Sequence, residues 1–166
     1  MNGARAAAAL AAVLGLALAA TALWRATGPQ GPAPDVSFQL IDGRKLEMRG
    51  LEGRPVLVTF WSTTCGLCIK EMPDLVRLYE QLGPRGMEIV GVAMPYDRPD
   101  RVVAMARRKG LNYPVAIDVQ GEVTRAFGEI RGTPTSFLIA PDGTILFRRL
   151  GPIDPGHLRK QVERML

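Results

Sequence analysis

In Val56-Leu57-Val58-Thr59-Phe60-Trp61-Ser62-Thr63-Thr64-Cys65-Gly66-Leu67-Cys68 a short apolar run breaks into a Cys-x-x-Cys turn. Val56 to Phe60 is β-branched and aromatic and is bounded by Pro55, the pattern of a buried strand. From Gly66 the apolar period changes: Cys68, Met72, Leu75, Val76, Tyr79 and Leu82 fall on one helical face. Two cysteines therefore stand where a strand hands over to a helix. A helix start presents free N–H groups and the positive end of the dipole. Cys65, at that start, is expected to be stabilised as thiolate, the reactive form. Cys68, one turn in, is near enough to close a small disulfide ring. The pair reads as a redox site.

On the N-terminal side, Ser37–Ile41 and Lys45–Met48 flank Asp42-Gly43, a strong hairpin signal. Downstream, Pro73 removes a backbone bond inside the first helix, and Gly83-Pro84 and Gly86 end it. Met87–Met94 reads as a second buried strand. Asp97 looks like the cap of a helix that runs to Arg107-Arg108-Lys109 and Gly110, where basic residues and a glycine suit a C-terminus. A strand at Val115–Asp118 and a short helix at Glu122–Phe127 follow. Ser136–Ile139 and Thr144–Phe147 pair across Pro141-Asp142-Gly143. Asp154-Pro155 opens a last helix with an apolar stripe of Leu158, Val162 and Leu166. Strand–helix alternation followed by a hairpin and a helix implies an α/β sandwich, its central strands parallel and its edge antiparallel.

The 166 residues suit one domain plus a tail. From position 27 onward 19 basic residues stand against 16 acidic ones, and no aromatic–basic interleaving points to a nucleic-acid partner. Two cysteines three apart are not a multi-disulfide scaffold. Zinc is disfavoured because His157, the only histidine, is remote in the sequence from the pair. Ala6 to Trp24 is 19 uncharged residues, about 28 Å as a helix, close to a bilayer core. Ten of them are alanine, and Ala17-Leu18-Ala19 also offers a signal-peptide cleavage site. The uncleaved anchor is preferred, since the apolar run continues past that site to Trp24-Arg25. Residues 1–26 are thus read as anchor or signal sequence, 27–34 as a Pro/Gly linker and 35–166 as the folded domain. Either reading of the leader sends the domain across a membrane, and removal of the leader would leave it soluble in the periplasm.

The residues from Phe60-Trp61 to Cys68, with Glu71-Met72-Pro73, Asn112-Tyr113-Pro114 and Gly132-Thr133-Pro134, resemble the thioredoxin superfamily. More closely, they resemble its membrane-anchored, extracytoplasmic TlpA/ResA-type thiol-disulfide oxidoreductases. The resemblance covers roughly positions 34 to 166. It implies a thioredoxin-like sandwich, a central mixed sheet flanked by helices, with an N-terminal β-hairpin extension. It also implies Cys65 as nucleophile, Cys68 as resolving thiol and Glu71 as proton acceptor. Trp61, Gly66, Leu67, Thr133 and a cis Pro134 would meet the client. Implied too are no cofactor beyond the Cys65–Cys68 disulfide, client proteins bearing disulfides, and a thiol donor in the membrane. The expected role is reduction of client disulfides, in cytochrome c maturation or copper-site assembly. A disulfide-inserting oxidant and a thiol-based metal carrier stay open beside it. A peroxidase is disfavoured, since that motif puts Pro seven residues before the nucleophile, where this chain has Val58. The chain also departs from the family. Thr59 stands where cytoplasmic thioredoxins carry a buried Asp, Leu67 where Pro or a polar residue precedes the second Cys, and Thr64 where a second Trp is common.

Overall fold

A computed structural model describes residues 14–16 and 31–166. The expected anchor, apart from a helical stretch at 14–16, and residues 27–30 of the linker lie outside the described residues. Among the described residues no helix is long and apolar enough to cross a membrane.

The sheet is built around β3 (Val56–Trp61), all six of whose residues are buried. It pairs in parallel with β4 (Glu88–Ala93), which pairs in parallel with β5 (Val115–Ile117). On its other side β3 pairs antiparallel with β6 (Thr135–Ile139), and β6 with β7 (Ile145–Leu150). The spatial order is β5-β4-β3-β6-β7. The hairpin of β1 (Ser37–Gln39) and β2 (Lys45–Glu47) is a separate two-stranded sheet, docked on β5 by Ile41 N–H donating to the Val115 carbonyl at 2.9 Å. Its turn needs Gly43, whose φ of 87° suits a residue without Cβ. At the opposite end, Ala33 N–H donates to the Gly143 carbonyl at 2.8 Å, so the chain sits against the β6–β7 turn before residue 35.

Alternation along the strands divides the core between the two faces of the sheet. On one face Leu57, Ile89, Leu138, Val102, Leu158 and Val162 pack with α1 (Gly66–Leu82), α2 (Pro99–Lys109) and α4 (Pro155–Glu163). On the other, Val58, Phe60, Val92 and Phe137 meet Phe38 of the hairpin and Phe127 at the end of α3 (Glu122–Ala126). Phe60, Phe127 and Phe137 touch edge to face with ring centroids 4.9–5.9 Å apart. Each such buried ring contributes on the order of 1.5–3 kcal/mol through burial.

Three local expectations are revised. Asp97 does not cap α2; Arg98 holds that position with no side-chain bond, and the Asp97 carboxylate is engaged elsewhere. Leu166 lies beyond α4 and is 42% exposed, while Met165 packs against the core. Strand β7 runs on to Leu150, because the ladder with β6 continues to the Thr135–Leu150 pair. Helix α1 passes through Pro73, which is exposed, without interruption.

Candidate active site

The register of β6 on β3 assembles the site. Phe60 pairs with Thr135, so the residues just before β6 lie beside Trp61 and the turn leaving β3. The parallel strands β3 and β4 also end here, the usual place for a site in an open α/β sheet. Cys65 is the N-cap of α1, and Cys68 N–H points at its sulfur at 3.1 Å. The two cysteines are joined as a disulfide with Cα atoms 5.3 Å apart. Cys68 is buried and Cys65 half-buried, while Gly66 is exposed and Leu67 is 51% exposed between them. The Cys68 N–H and the positive end of the α1 dipole thus both lie at the Cys65 sulfur.

Across from this turn the Thr133–Pro134 peptide bond is cis, and the Thr133 carbonyl oxygen lies 3.3 Å from the Cys65 sulfur. Two bonds hold that loop: Thr135 Oγ1 donates to the Gly132 carbonyl at 2.6 Å, and Gly151 N–H donates to the Pro134 carbonyl at 2.8 Å. Pro134 is buried and Thr133 half-buried.

Glu71 is buried on α1, one turn beyond Cys68. Its Oε1 accepts from the Ile153 backbone N–H at 2.6 Å, in the segment joining β7 to α4. Burial pushes the Glu71 carboxyl above its ordinary range. The Ile153 bond pulls the other way, the Asp74 charge adds to the rise, and the Arg149 charge opposes it. The Tyr113 hydroxyl is raised chiefly by burial and also by the Glu71 charge. The Ile153 amide, not a cysteine sulfur, is the hydrogen-bond partner that the structure assigns to Glu71.

Trp61 is 3% exposed and packs in the core cluster that holds Cys68, Met72 and Tyr113. Among the described residues its indole N–H has no acceptor. The indole and Tyr113 both press on Gly91 of β4, where a Cβ would lie 3.1 Å from Tyr113 and 3.3 Å from Trp61 Nε1. At the position of the missing aspartate, Thr59 Oγ1 accepts from Ser136 Oγ at 2.9 Å, a neutral buried pair across β3 and β6. Val58 is fully buried in mid-strand. Among the described residues no three His, Cys, Asp or Glu side chains come together in a metal-holding group.

The structure thus brings Trp61, Cys65, Gly66, Leu67, Cys68, Thr133 and Pro134 to one end of the sheet and turns Glu71 inward behind them. Gly91, Ser62, Thr63 and Asp97 belong to the same surroundings and carry no pattern of their own. A Gly-Val-Ala strand and a pre-helical Asp read as ordinary local chemistry.

This fold, with a helix-capping cysteine bonded to a buried one and facing a cis-proline loop, defines a thioredoxin-like protein with a dithiol–disulfide centre. The chain belongs to the AhpC/TSA family, whose pattern matches residues 29–148. It is 37% identical over 115 residues to the thiol-disulfide oxidoreductase ResA of Bacillus thuringiensis subsp. konkukian (strain 97-27), covering 69% of this chain and 65% of that protein. The ResA of Bacillus subtilis (strain 168) is 32% identical over 114 residues, covering 69% of this chain and 63% of its own length. The chain therefore spans less than two thirds of the length of these curated relatives. Among solved structures, a thioredoxin-family thiol:disulfide interchange protein from Chlorobium tepidum TLS superposes with a TM-score of 0.75 at 31% identity. That match covers 81% of this chain and 95% of the other.

Proposed function

We propose that the chain is a thiol-disulfide oxidoreductase that reduces disulfides in client proteins on the extracytoplasmic side of a membrane. The observation that carries this reading is the asymmetry of the pair: an approachable Cys65 with an N–H on its sulfur, and a buried Cys68 bonded to it. In the reduced form the Cys65 thiolate attacks one sulfur of a client disulfide. The client S–S bond breaks, a mixed disulfide forms, and one client thiolate leaves. Cys68 then gives up its proton and attacks the Cys65 sulfur. This releases the second client thiolate and leaves the protein as the disulfide, with two electrons passed to the client.

Glu71, one turn from Cys68 with a carboxyl raised by burial, takes the Cys68 proton as a general base. Gly66, Leu67 and Thr133 form the surface that an extended client meets, the Thr133 backbone offering strand-like pairing, while Trp61 and Pro134, both buried, support that surface from beneath. No cofactor beyond the Cys65–Cys68 disulfide enters the cycle. A membrane-bound thiol donor restores the dithiol, and residues 1–26 tether the domain to the membrane. Cytochrome c maturation or copper-site assembly is the setting that the TlpA/ResA-type resemblance supports.

Equilibration with glutathione buffers tests the direction of electron flow. A potential near about −270 mV marks a reductant, and one near about −120 mV marks the disulfide-inserting alternative. In the same chain Cys68→Ser should trap a client as a mixed disulfide and Cys65→Ser should not. Equal trapping by both variants would overturn the assignment of the nucleophile. Tight binding of copper or zinc by the reduced chain, without turnover of disulfides, would instead favour the carrier reading.

A further inference from the structure

Asp97 stands on the connection from β4 to α2, one residue before the helix's own N-cap. An acid at that place ordinarily serves the helix start, yet α2 has no side-chain cap. The buried carboxylate instead reaches across to the turn between Trp61 and Cys65. One oxygen accepts from the Thr63 backbone N–H at 2.7 Å, and the other from the Thr63 hydroxyl at 2.9 Å and the Ser62 hydroxyl at 3.2 Å. Ser62 passes the constraint on, because its carbonyl accepts from Cys65 N–H at 3.1 Å and its hydroxyl from Thr64 N–H at 3.3 Å. The connection that carries Asp97 is tied to the same strand end, with Met94 N–H donating to the Trp61 carbonyl and Asp97 N–H to the Met94 carbonyl, both at 2.9 Å. The adjacent cation does not claim the carboxylate, since Arg98 pairs with Asp100. A buried carboxylate is retained where its oxygens are hydrogen-bonded, and here they are bonded to the turn that ends at Cys65.

We propose that Asp97 is a positioning residue for the redox step, holding Ser62–Thr64 so that the Cys65 sulfur sits on the Cys68 N–H. The inference rests on the thiol-exchange reading above. With the carboxylate gone, the turn loses three acceptor contacts, and the Cys65 sulfur spends less time aligned with the helix N-terminus. Its thiolate is then less stabilised and its titration moves up towards that of a free cysteine, about 8.5. Asparagine can keep the geometry. Its oxygen serves the Thr63 N–H, and its NH2 donates to the two hydroxyls, which rotate to accept.

The test uses the full chain, reduced, as Asp97→Ala, Asp97→Asn and Thr63→Val. Three quantities are measured: the pH dependence of Cys65 alkylation by iodoacetamide, the rate of reduction of oxidised glutathione, and the melting temperature. Asp97→Ala should raise the Cys65 titration midpoint and slow exchange by about tenfold or more, as misplacement of a reacting group does. Asp97→Asn should stay within about threefold of the parent, and Thr63→Val should fall between. An unchanged midpoint and rate in Asp97→Ala, with only the melting temperature lowered, would leave Asp97 a purely structural residue and overturn the proposal. If that variant does not fold, an unchanged midpoint and rate in Thr63→Val overturns it equally. A parent chain that leaves oxidised glutathione unreduced would sink the exchange reading alone, because the Cys65 titration decides about Asp97 without turnover.

Discussion

Replacing Glu71 with Gln keeps the side-chain shape and removes the charge, which isolates the cost of ionising a buried carboxyl. In the folded chain burial raises the Glu71 pKa, overcoming the Ile153 hydrogen bond and the Arg149 charge. The folded state therefore holds a proton at pH values where the unfolded chain has released it. Stability contributed by the protonated carboxyl is fully present below the ordinary value of 4.5 and declines as pH rises to the elevated folded value. Glutamine has no such decline. At about pH 4 both side chains are neutral acceptors for the Ile153 amide, and the two proteins should agree within about 1 kcal/mol. At about pH 8 the variant should have gained on the parent by on the order of 1 kcal/mol, and each kcal/mol is worth about 2–4 °C in Tm at this chain length. The assay is thermal unfolding of the oxidised chain across this range, the disulfide closed so that cysteine titration does not enter. A difference in Tm that is the same at both ends would show that Glu71 titrates as a surface acid. Its role as proton acceptor for Cys68 would fall with it. Should the role hold, the same variant in the reduced state slows release of the mixed disulfide while leaving its formation unchanged.

Thr59→Val removes the acceptor of the buried Ser136 hydroxyl and should cost about 1–3 kcal/mol, whereas the double variant with Ser136→Ala should recover most of it. Urea unfolding of the two single variants and the double variant measures the coupling, and strictly additive losses would refute it. Gly91→Ala places a Cβ against Tyr113 and the Trp61 indole and should destabilise by about 1–3 kcal/mol with a shift in Trp61 emission. Parent-like stability would mean that the two rings yield freely.

The central strand, the Cys-x-x-Cys turn and the hairpin at Asp42-Gly43 are legible because each depends on neighbours in sequence: apolar period, turn chemistry, spacing. What decides the surroundings of the site is long-range. The acid at Asp97 looks like a helix cap from its own neighbourhood, and only the return of the chain to Trp61 shows that it serves the Ser62–Thr64 turn. Ser136 finds Thr59 through pairing of strands far apart in the chain, and nothing local in either residue announces a partner. Gly91 is one more residue of a buried strand pattern, and only the fold shows that two aromatic rings stand so close that a Cβ would have to push them aside by a few tenths of an ångström. Glu71 would be a solvated helix glutamate by local rule. Its spacing from Cys68 together with the resemblance points instead to a buried, functional acid, and the structure shows it to be buried. Its burial depends on the β7–α4 segment laying Ile153 over it.

The unequal burial of the two sulfurs has a kinetic meaning. On the thiol-exchange reading proposed above, a macromolecular client would collide with Cys65, so capture would be second order and follow client concentration. Cys68, sunk in the core one helical turn away, is out of reach of a bulky partner and on that reading would attack only the sulfur beside it. The second step is therefore unimolecular, with an effective concentration set by the helix and not by the compartment, and such intramolecular steps reach on the order of 10⁵ M or more. Dilution or crowding of clients changes how often the protein is engaged. It leaves the lifetime of the mixed disulfide alone, so each captured client would leave as its reduced thiol at a rate set by the helix that carries both cysteines.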